Sequence, residues 1–261
     1  MLNLRRNERL IDMMQYLLMH PHMRIPLAFF TQRYQTAKST ISEDLLLIKK
    51  TLQKGASGYL ITIAGASGGA CYIPMVTLAE LQNNLPKIAQ YLSTSQRIFN
   101  NRYIITNINY NNALLQYLSR IIATQYHQQN VDAILTVSGD GTNLAQCVAT
   151  LLNVPCVIAT PTLSEVSLGI ANLHIPYDAL QSGMHVLVID TAIRSGRQLQ
   201  RLLALLTATS TQCVGVTTLF DVLDVPTVFE QPYSALFTMT LTQHAHFDYQ
   251  QYLLKYRHIF A

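Results

Sequence analysis

VLVIDTAIRSGRQLQ, Val186 to Gln200, runs from an apolar strand through a short loop into a helix. The strand ends on a carboxylate, Asp190, and the loop contains Ser195 and Gly196. This order suits a bound phosphate. The first N–H groups of a helix lack intrahelical acceptors, so a loop opening onto them cradles an anion. Arg197 and Gln198 stand where such a loop would take a glycine and a hydroxyl. A second loop, SGDGT (Ser138, Gly139, Asp140, Gly141 and Thr142), also follows an apolar strand, and its two glycines can present backbone amides. The candidate ligand contacts are these five residues together with Asp190, Thr191, Arg194, Ser195, Gly196, Arg197 and Gln198. No set of residues for covalent or metal catalysis accompanies them. His20-Pro-His22 and His244-Ala-His246 have no third or fourth ligand placed by the sequence. There is also no Gly-x-Ser-x-Gly elbow and no Walker loop.

Both loops need strands to carry them, and alternating elements from residue 76 onward supply these. The pattern predicts a connector helix over Leu78–Leu92, bent or broken at Pro86, with a face suited to dimer contact. It also predicts strands at Tyr103–Thr106, Ala133–Val137, Cys156–Thr160, Val186–Asp190, Cys213–Leu219 and Ala235–Leu241. Helices are expected at Ala113–His127, Asn143–Leu152 and from about Gln198 to Leu206. Apolar strands alternating with helices make a mostly parallel α/β sheet, which binds ligands at the carboxyl ends of its strands. Tyr249, Tyr252 and Tyr256, at near-helical spacing, are expected to pack a C-terminal helix or a subunit contact.

The first 75 residues differ in kind. They hold nine Lys/Arg against four Asp/Glu, whereas the remaining 186 residues hold nine basic and ten acidic side chains. The chain's net charge of +4 therefore belongs to this first module, which points to an anionic partner, nucleic acid before membrane. Leu10, Met13, Met14, Leu17 and Leu18 place a helix over Arg9–Leu18, ended by Pro21. Pro26 opens a second helix, LAFFTQRY. After a turn at Gln35-Thr36, Ile41, Leu45, Ile48 and Leu52 line a third helix. Thr40 and Glu43, at capping-box spacing, place its start near Thr40. Two strands, Tyr59–Ile63 and Cys71–Ile73, flank a Gly-rich tip. Helix-turn-helix plus hairpin is a winged helix, and Arg5, Arg6, Lys38, Ser39, Thr40, Ser42 and Ser67 are its candidate DNA contacts.

Composition excludes other classes. With 49% hydrophobic residues the chain can bury a core, and no apolar run reaches the ~20 residues of a membrane span. The four scattered cysteines form no framework, and Cys147 and Cys156 sit in apolar segments as core residues, which fits a reduced, cytoplasmic protein.

The stretch from Glu8 to Gln53, the wing LITIAGASGGACYIP, and the segments VDAILTVSGDGTNLA, LLNVPCVIAT and VLVIDTAIRSG together closely resemble the Gram-positive purine operon repressor family. The resemblance implies two units. Residues 1–75 form a winged-helix DNA-binding domain, and residues 76–261 a phosphoribosyltransferase-like regulatory and dimerisation domain. It further implies a homodimer that binds double-stranded operator DNA, with a non-catalytic domain sensing phosphoribosyl pyrophosphate. In that family two acids end the strand and Gly-Gly-Thr wraps the 5′-phosphate. Here the second acid is Thr191, and the triplet is Gly196-Arg197-Gln198. Asp140 stands in the pyrophosphate loop, and no Lys or Arg occurs from Ala159 to Gly183. These departures predict that phosphoribosyl pyrophosphate binding is weakened, or that another purine-related nucleotide replaces it. No cofactor is expected. The alternative is a purine phosphoribosyltransferase enzyme with an appended DNA-binding module.

Overall fold

The computed structural model describes residues 4–55, 58–63, 65, 68–94, 97–99, 102–104, 108–162, 172–240 and 247–260, with only the backbone at 97–99 and 102–104. Ser67, Thr106, Leu241, His244 and His246 lie outside the described residues.

The N-terminal module packs three helices, α1 (Arg6–Met19), α2 (Leu27–Tyr34) and α3 (Lys38–Gly55), beneath a small sheet. That sheet orders β1 (Ile25–Pro26), β3 (Gly69–Ile73) and β2 (Tyr59–Ile63), antiparallel throughout. Met13, Leu17, Phe30, Ile41, Leu45 and Leu60 form its core, each almost fully removed from water. Two helix starts differ from expectation. Helix α1 begins at Arg6 rather than Arg9, because the Glu8 carboxylate accepts the Arg5 N–H at 2.8 Å and satisfies one open donor of the first turn. Helix α3 begins at Lys38 rather than near Thr40, since the Ile41 N–H donates to the Ala37 carbonyl at 3.2 Å. Thr40 and Glu43 therefore lie inside the helix and form no capping box.

A buried ion pair ties α1 to α3. Asp44, fully removed from solvent, accepts from Arg9 Nε at 2.7 Å and from Arg6 Nε at 3.2 Å. Arg33 is engaged as well, since its guanidinium grips Asp12 at 2.7 and 2.9 Å and holds that carboxyl below its usual range. Three of the nine basic side chains that mark this module thus hold it together.

The rest of the chain is built on a seven-stranded sheet. Its order is β12 (Phe247–Asp248), β11 (Ser234–Met239), β10 (Gln212–Val222), β9 (His185–Ile193), β6 (Ala133–Val137), β7 (Cys156–Pro161), β8 (Leu173–His174). The inner five strands are parallel and the two edge strands antiparallel. Helices α4 (Leu78–Thr94), α5 (Asn112–Tyr126), α6 (Thr142–Leu152) and α8 (Gln250–Tyr256) share one hydrophobic cluster with the sheet, and α7 (Arg197–Ala208) packs in a second. Cys147 and Cys156 pack at the margin of the first cluster, partly buried. Pro86 lies within α4 and does not break it. The strand expected at Tyr103–Thr106 is described over Arg102–Ile104 as β5, which pairs antiparallel with β4 (Arg97–Phe99) in a separate two-stranded sheet.

One polar network stitches this body together. Tyr126 and Ser234 both bond the Thr217 hydroxyl, at 2.6 and 2.8 Å, while Gln125 donates to Ser234 and accepts from Tyr252. Tyr252 of the C-terminal helix is thus a core residue, 3% exposed. The winged helix meets the body along α5. Arg120 donates to the Met75 carbonyl at 2.6 Å, the Val76 N–H donates to Thr124 Oγ1 at 3.0 Å, and the Tyr59 ring stands edge-on to His127.

Asp44→Ala leaves the Arg9 guanidinium buried beside no carboxylate and is expected to cost roughly 3–5 kcal/mol. Arg6, more than half exposed, should cost under about 1 kcal/mol on replacement by Ala. Chemical denaturation of both variants measures the contrast, and equal costs would refute this ranking of the two arginines.

Candidate functional site

Strand β6 pairs with β9 only over Ala133–Leu135 against Val186–Val188. Beyond that point β9 follows β10 as far as Ile193, opposite Asp221, while β6 pairs with β7. The strand expected to stop at Asp190 therefore continues three residues on one side only. The sheet also changes winding direction here, because β6 leads outward to β7 and β9 leads the other way to β10 and β11. Such a switch point opens a crevice at the carboxyl ends of the strands.

The crevice is a cavity of about 760 Å³. One wall is the Ser138–Gly141 loop, and the opposite wall is Asp190–Gly196 with Gln198. Ten of the twelve residues expected from sequence line it; Thr142 and Arg197 do not. The Thr142 hydroxyl turns back to accept the Gly139 N–H at 3.1 Å. Arg197 is the first residue of α7 and is exposed outside the lining. The position that needs a left-handed backbone is the preceding one. Gly196 has φ +73°, and a β-carbon there would lie 2.3 Å from Phe229 Cβ. Arg197 thus replaces a loop glycine without backbone strain.

Asp190 is the buried centre of the cavity wall. Its Oδ1 accepts the Thr191 N–H at 2.7 Å and its Oδ2 accepts Gln198 Nε2 at 3.0 Å. Burial pushes its carboxyl up to about 6, against the two donors, and the Asp140 charge across the crevice adds to the rise. Gly141 allows this approach, since a β-carbon would sit 3.0 Å from Asp190 Oδ1. The Thr191 hydroxyl, in the place of a second acid, is buried with no hydrogen-bond partner.

Sequence reasoning missed a third wall formed by Ile108, Asn109, Tyr110, Leu115 and Leu219. Asn109 Nδ2 donates to the Asp140 carbonyl at 3.2 Å and so braces the loop opposite Asp190. Tyr110 stands 83% exposed at the rim. The available signal was the polar run INYNN, where the Asn111 side chain caps α5 by accepting the Leu114 N–H at 3.1 Å.

The second candidate surface is the head of α3. Lys38, Ser39 and Ser42 are exposed and Thr40 is partly so. Lys38 Nζ reaches the Gly65 carbonyl of the wing at 3.4 Å, which draws helix and wing into one surface. The Ser42 hydroxyl donates to the Lys38 carbonyl. Arg5 is exposed, and Arg6 is partly committed to Asp44.

Residues 5–74 match the family described as the bacterial purine repressor N-terminal region, and residues 105–251 match the phosphoribosyl transferase domain. The purine biosynthesis transcriptional repressor PurR of Bacillus subtilis is 33% identical over 251 residues, 90% of this chain and 88% of that protein. The chain belongs to the bacterial purine repressor family. The purine biosynthesis transcriptional activator PurR of Lactococcus lactis is 32% identical over 201 residues, 72% of this chain and 74% of its own. Among solved structures, adenine phosphoribosyltransferase from Rhodothermus marinus aligns with 60% of this chain and 98% of its own, at TM-score 0.47 and 15% identity. Within this purine-repressor-type chain, the loop departures fall into two kinds. Gln198 and Thr191 change what surrounds Asp190, and Asp140 changes the charge facing it.

The raised carboxyl of Asp190 has a consequence for stability. An acid that titrates higher in the folded chain than in the unfolded one weakens folding as pH rises between those two values. Asp190→Asn removes this burden, so the unliganded variant should exceed the wild type by about 2–3 kcal/mol at pH 7. The gap should narrow from pH 6 towards pH 4. Urea denaturation of both proteins across that range checks it; a gap that widens on acidification refutes the assignment.

Proposed function

We propose that the protein is a homodimeric, cytoplasmic transcriptional regulator that binds operator DNA at purine-synthesis genes, as a repressor. In this reading its phosphoribosyltransferase-like domain senses a small nucleotide and catalyses no phosphoribosyl transfer. The observation that carries it is the head of α3, where Lys38, Ser39 and Ser42 stand exposed beside a wing that Lys38 itself contacts. Polar and basic groups at the first turn of a recognition helix meet phosphates and base edges in the major groove. Family membership supports the same role. Repression follows the Bacillus relative, which is named a repressor and whose alignment covers more of this chain than the Lactococcus activator's does.

The absence of transfer chemistry is supported by the crevice. Thr191 gives the ribose end one carboxylate where the family pattern has two, and Asp140 sets a negative charge in the pyrophosphate loop. Both changes weaken the hold on a ribosyl pyrophosphate, which a transfer enzyme must bind and orient.

A footprint on DNA upstream of purine-synthesis genes tests the proposal. A preferred site should appear, with two half-sites about one helical turn apart for a two-fold dimer. Lys38→Ala should weaken binding on every sequence alike and lower the salt slope by about 1. Because Lys38 is exposed, thermal unfolding should be unchanged. Equal binding to random DNA would sink the claim of an operator, and formation of nucleotide from purine base and phosphoribosyl pyrophosphate would restore the enzyme.

A further inference from the structure

We propose that the crevice binds a nucleoside 5′-monophosphate in preference to phosphoribosyl pyrophosphate, with phosphate at Arg194 and the start of α7, ribose at Asp190, and base on Tyr110. This deepens the reading of the crevice as an effector site and rests on it. Four features of the walls support it.

The first is the charge balance. The lining carries two carboxylates, Asp140 and Asp190, against one cation, Arg194, since Arg197 stays outside it. A ribose with phosphate at one end and pyrophosphate at the other sets its more highly charged end beside Asp140. A monophosphate carries its charge at one end only, towards Arg194, Ser195 and the open N–H groups of α7.

The second is how each loop spends its amides. The Gly139 N–H donates to the Thr142 hydroxyl, so the Ser138–Gly141 loop has one fewer donor to offer a pyrophosphate. On the opposite wall Gly196 enters α7 with its left-handed backbone, which is the geometry of a phosphate-wrapping turn.

The third is the ribose subsite. Asp190 Oδ1 and Oδ2 each have one protein donor and spare lone pairs. The Thr191 hydroxyl beside it is sealed from solvent and unpaired, so the ribose diol is met by the Asp190 carboxylate alone.

The fourth decides against a ligand without a base. Tyr110, 83% exposed, lines the cavity together with buried Ile108, Leu115 and Leu219. Its ring gives a purine or pyrimidine a face to stack on, and the apolar floor removes the base edge from water. Phosphoribosyl pyrophosphate has nothing to place there. The volume of about 760 Å³ lies within the size range of small-molecule sites.

The test is calorimetric titration of the full chain with AMP, GMP, UMP, ribose 5-phosphate, and phosphoribosyl pyrophosphate with Mg2+. At least one monophosphate should bind tenfold or more tightly than both ribose 5-phosphate and phosphoribosyl pyrophosphate. Tyr110→Ala should bring that monophosphate down to the level of ribose 5-phosphate. Arg194→Ala should weaken both. Asp140→Lys should raise affinity for phosphoribosyl pyrophosphate by tenfold or more. All three residues are exposed, and unchanged melting curves establish that the variants fold. Phosphoribosyl pyrophosphate binding tighter than every monophosphate, no ligand binding at all, or a Tyr110→Ala variant with wild-type affinity would each overturn the proposal. Footprinting on the same preparations separates the two readings. A specific footprint without nucleotide binding refutes the ligand and leaves the regulator; monophosphate binding without a specific footprint refutes the regulator and leaves the ligand.

Discussion

The parting of β9 from β6 after Val188 is the constraint on which the rest of the crevice depends. While the two strands pair, Leu135 and Val188 are neighbours in a closed sheet. Two residues later Asp190 has lost that neighbour strand, which opens space on that side, and its carboxylate takes its donors from its own chain at Thr191 and Gln198. A buried carboxylate with a carboxyl raised to about 6 is a cost the fold carries in the unliganded state. Set against the ~5–15 kcal/mol that holds a typical domain, that cost is large enough to require compensation by packing on both faces of the sheet.

The local parts of this arrangement were legible in the sequence, and the reason is their short range. A strand, a Ser-Gly turn and a helix lie within fifteen residues, so VLVIDTAIRSGRQLQ shows Asp190 and Gly196 directly. The same holds for the helix-turn-helix, whose apolar spacing and prolines are local signals. What remained hidden involves pairing across the fold. Nothing near Asp190 says that β10 continues far enough to hold β9 to Ile193. Gln198 reads as a lost hydroxyl until the turn at Gly196 brings its amide back across eight residues to Asp190. Tyr110 belongs to a turn between two other elements, and no spacing rule connects it to a loop thirty residues on. The basic surplus of the first module was visible, yet Arg9 and Arg33 spend it inside the module on Asp44 and Asp12.

Helix α5 joins the two halves of the molecule. Its first turn carries Leu115, part of the crevice wall. Its later turns carry Arg120 and Thr124, which hold the backbone at Met75 and Val76, and just past its end His127 meets Tyr59 of the wing. On the wing side, His22 takes a left-handed backbone at φ +56° and donates its N–H to the Tyr72 carbonyl. Its Nε2 is buried without a partner, and burial lowers its pKa, with His127 adding to the effect. The joint thus combines hydrogen bonds between α5 side chains and the backbone at Met75 and Val76 with an imidazole whose burial disfavours its charged form.

A helix of fifteen residues spans roughly 22 Å at 1.5 Å per residue, enough to reach from the crevice to the root of the wing as one rigid element. Its buried face, from Leu114 to Tyr126, is packed too closely to bend under a small displacement at one end. Whatever shifts Leu115 must therefore move Arg120 and Thr124 with it, or be resisted by them. Coupling of this kind is reciprocal: if an occupant of the crevice changes the affinity of the winged helix for DNA, DNA changes the affinity of the crevice by the same factor. The size of any such coupling is set by how differently the occupant binds the two states it couples, and not by how tightly it binds either one.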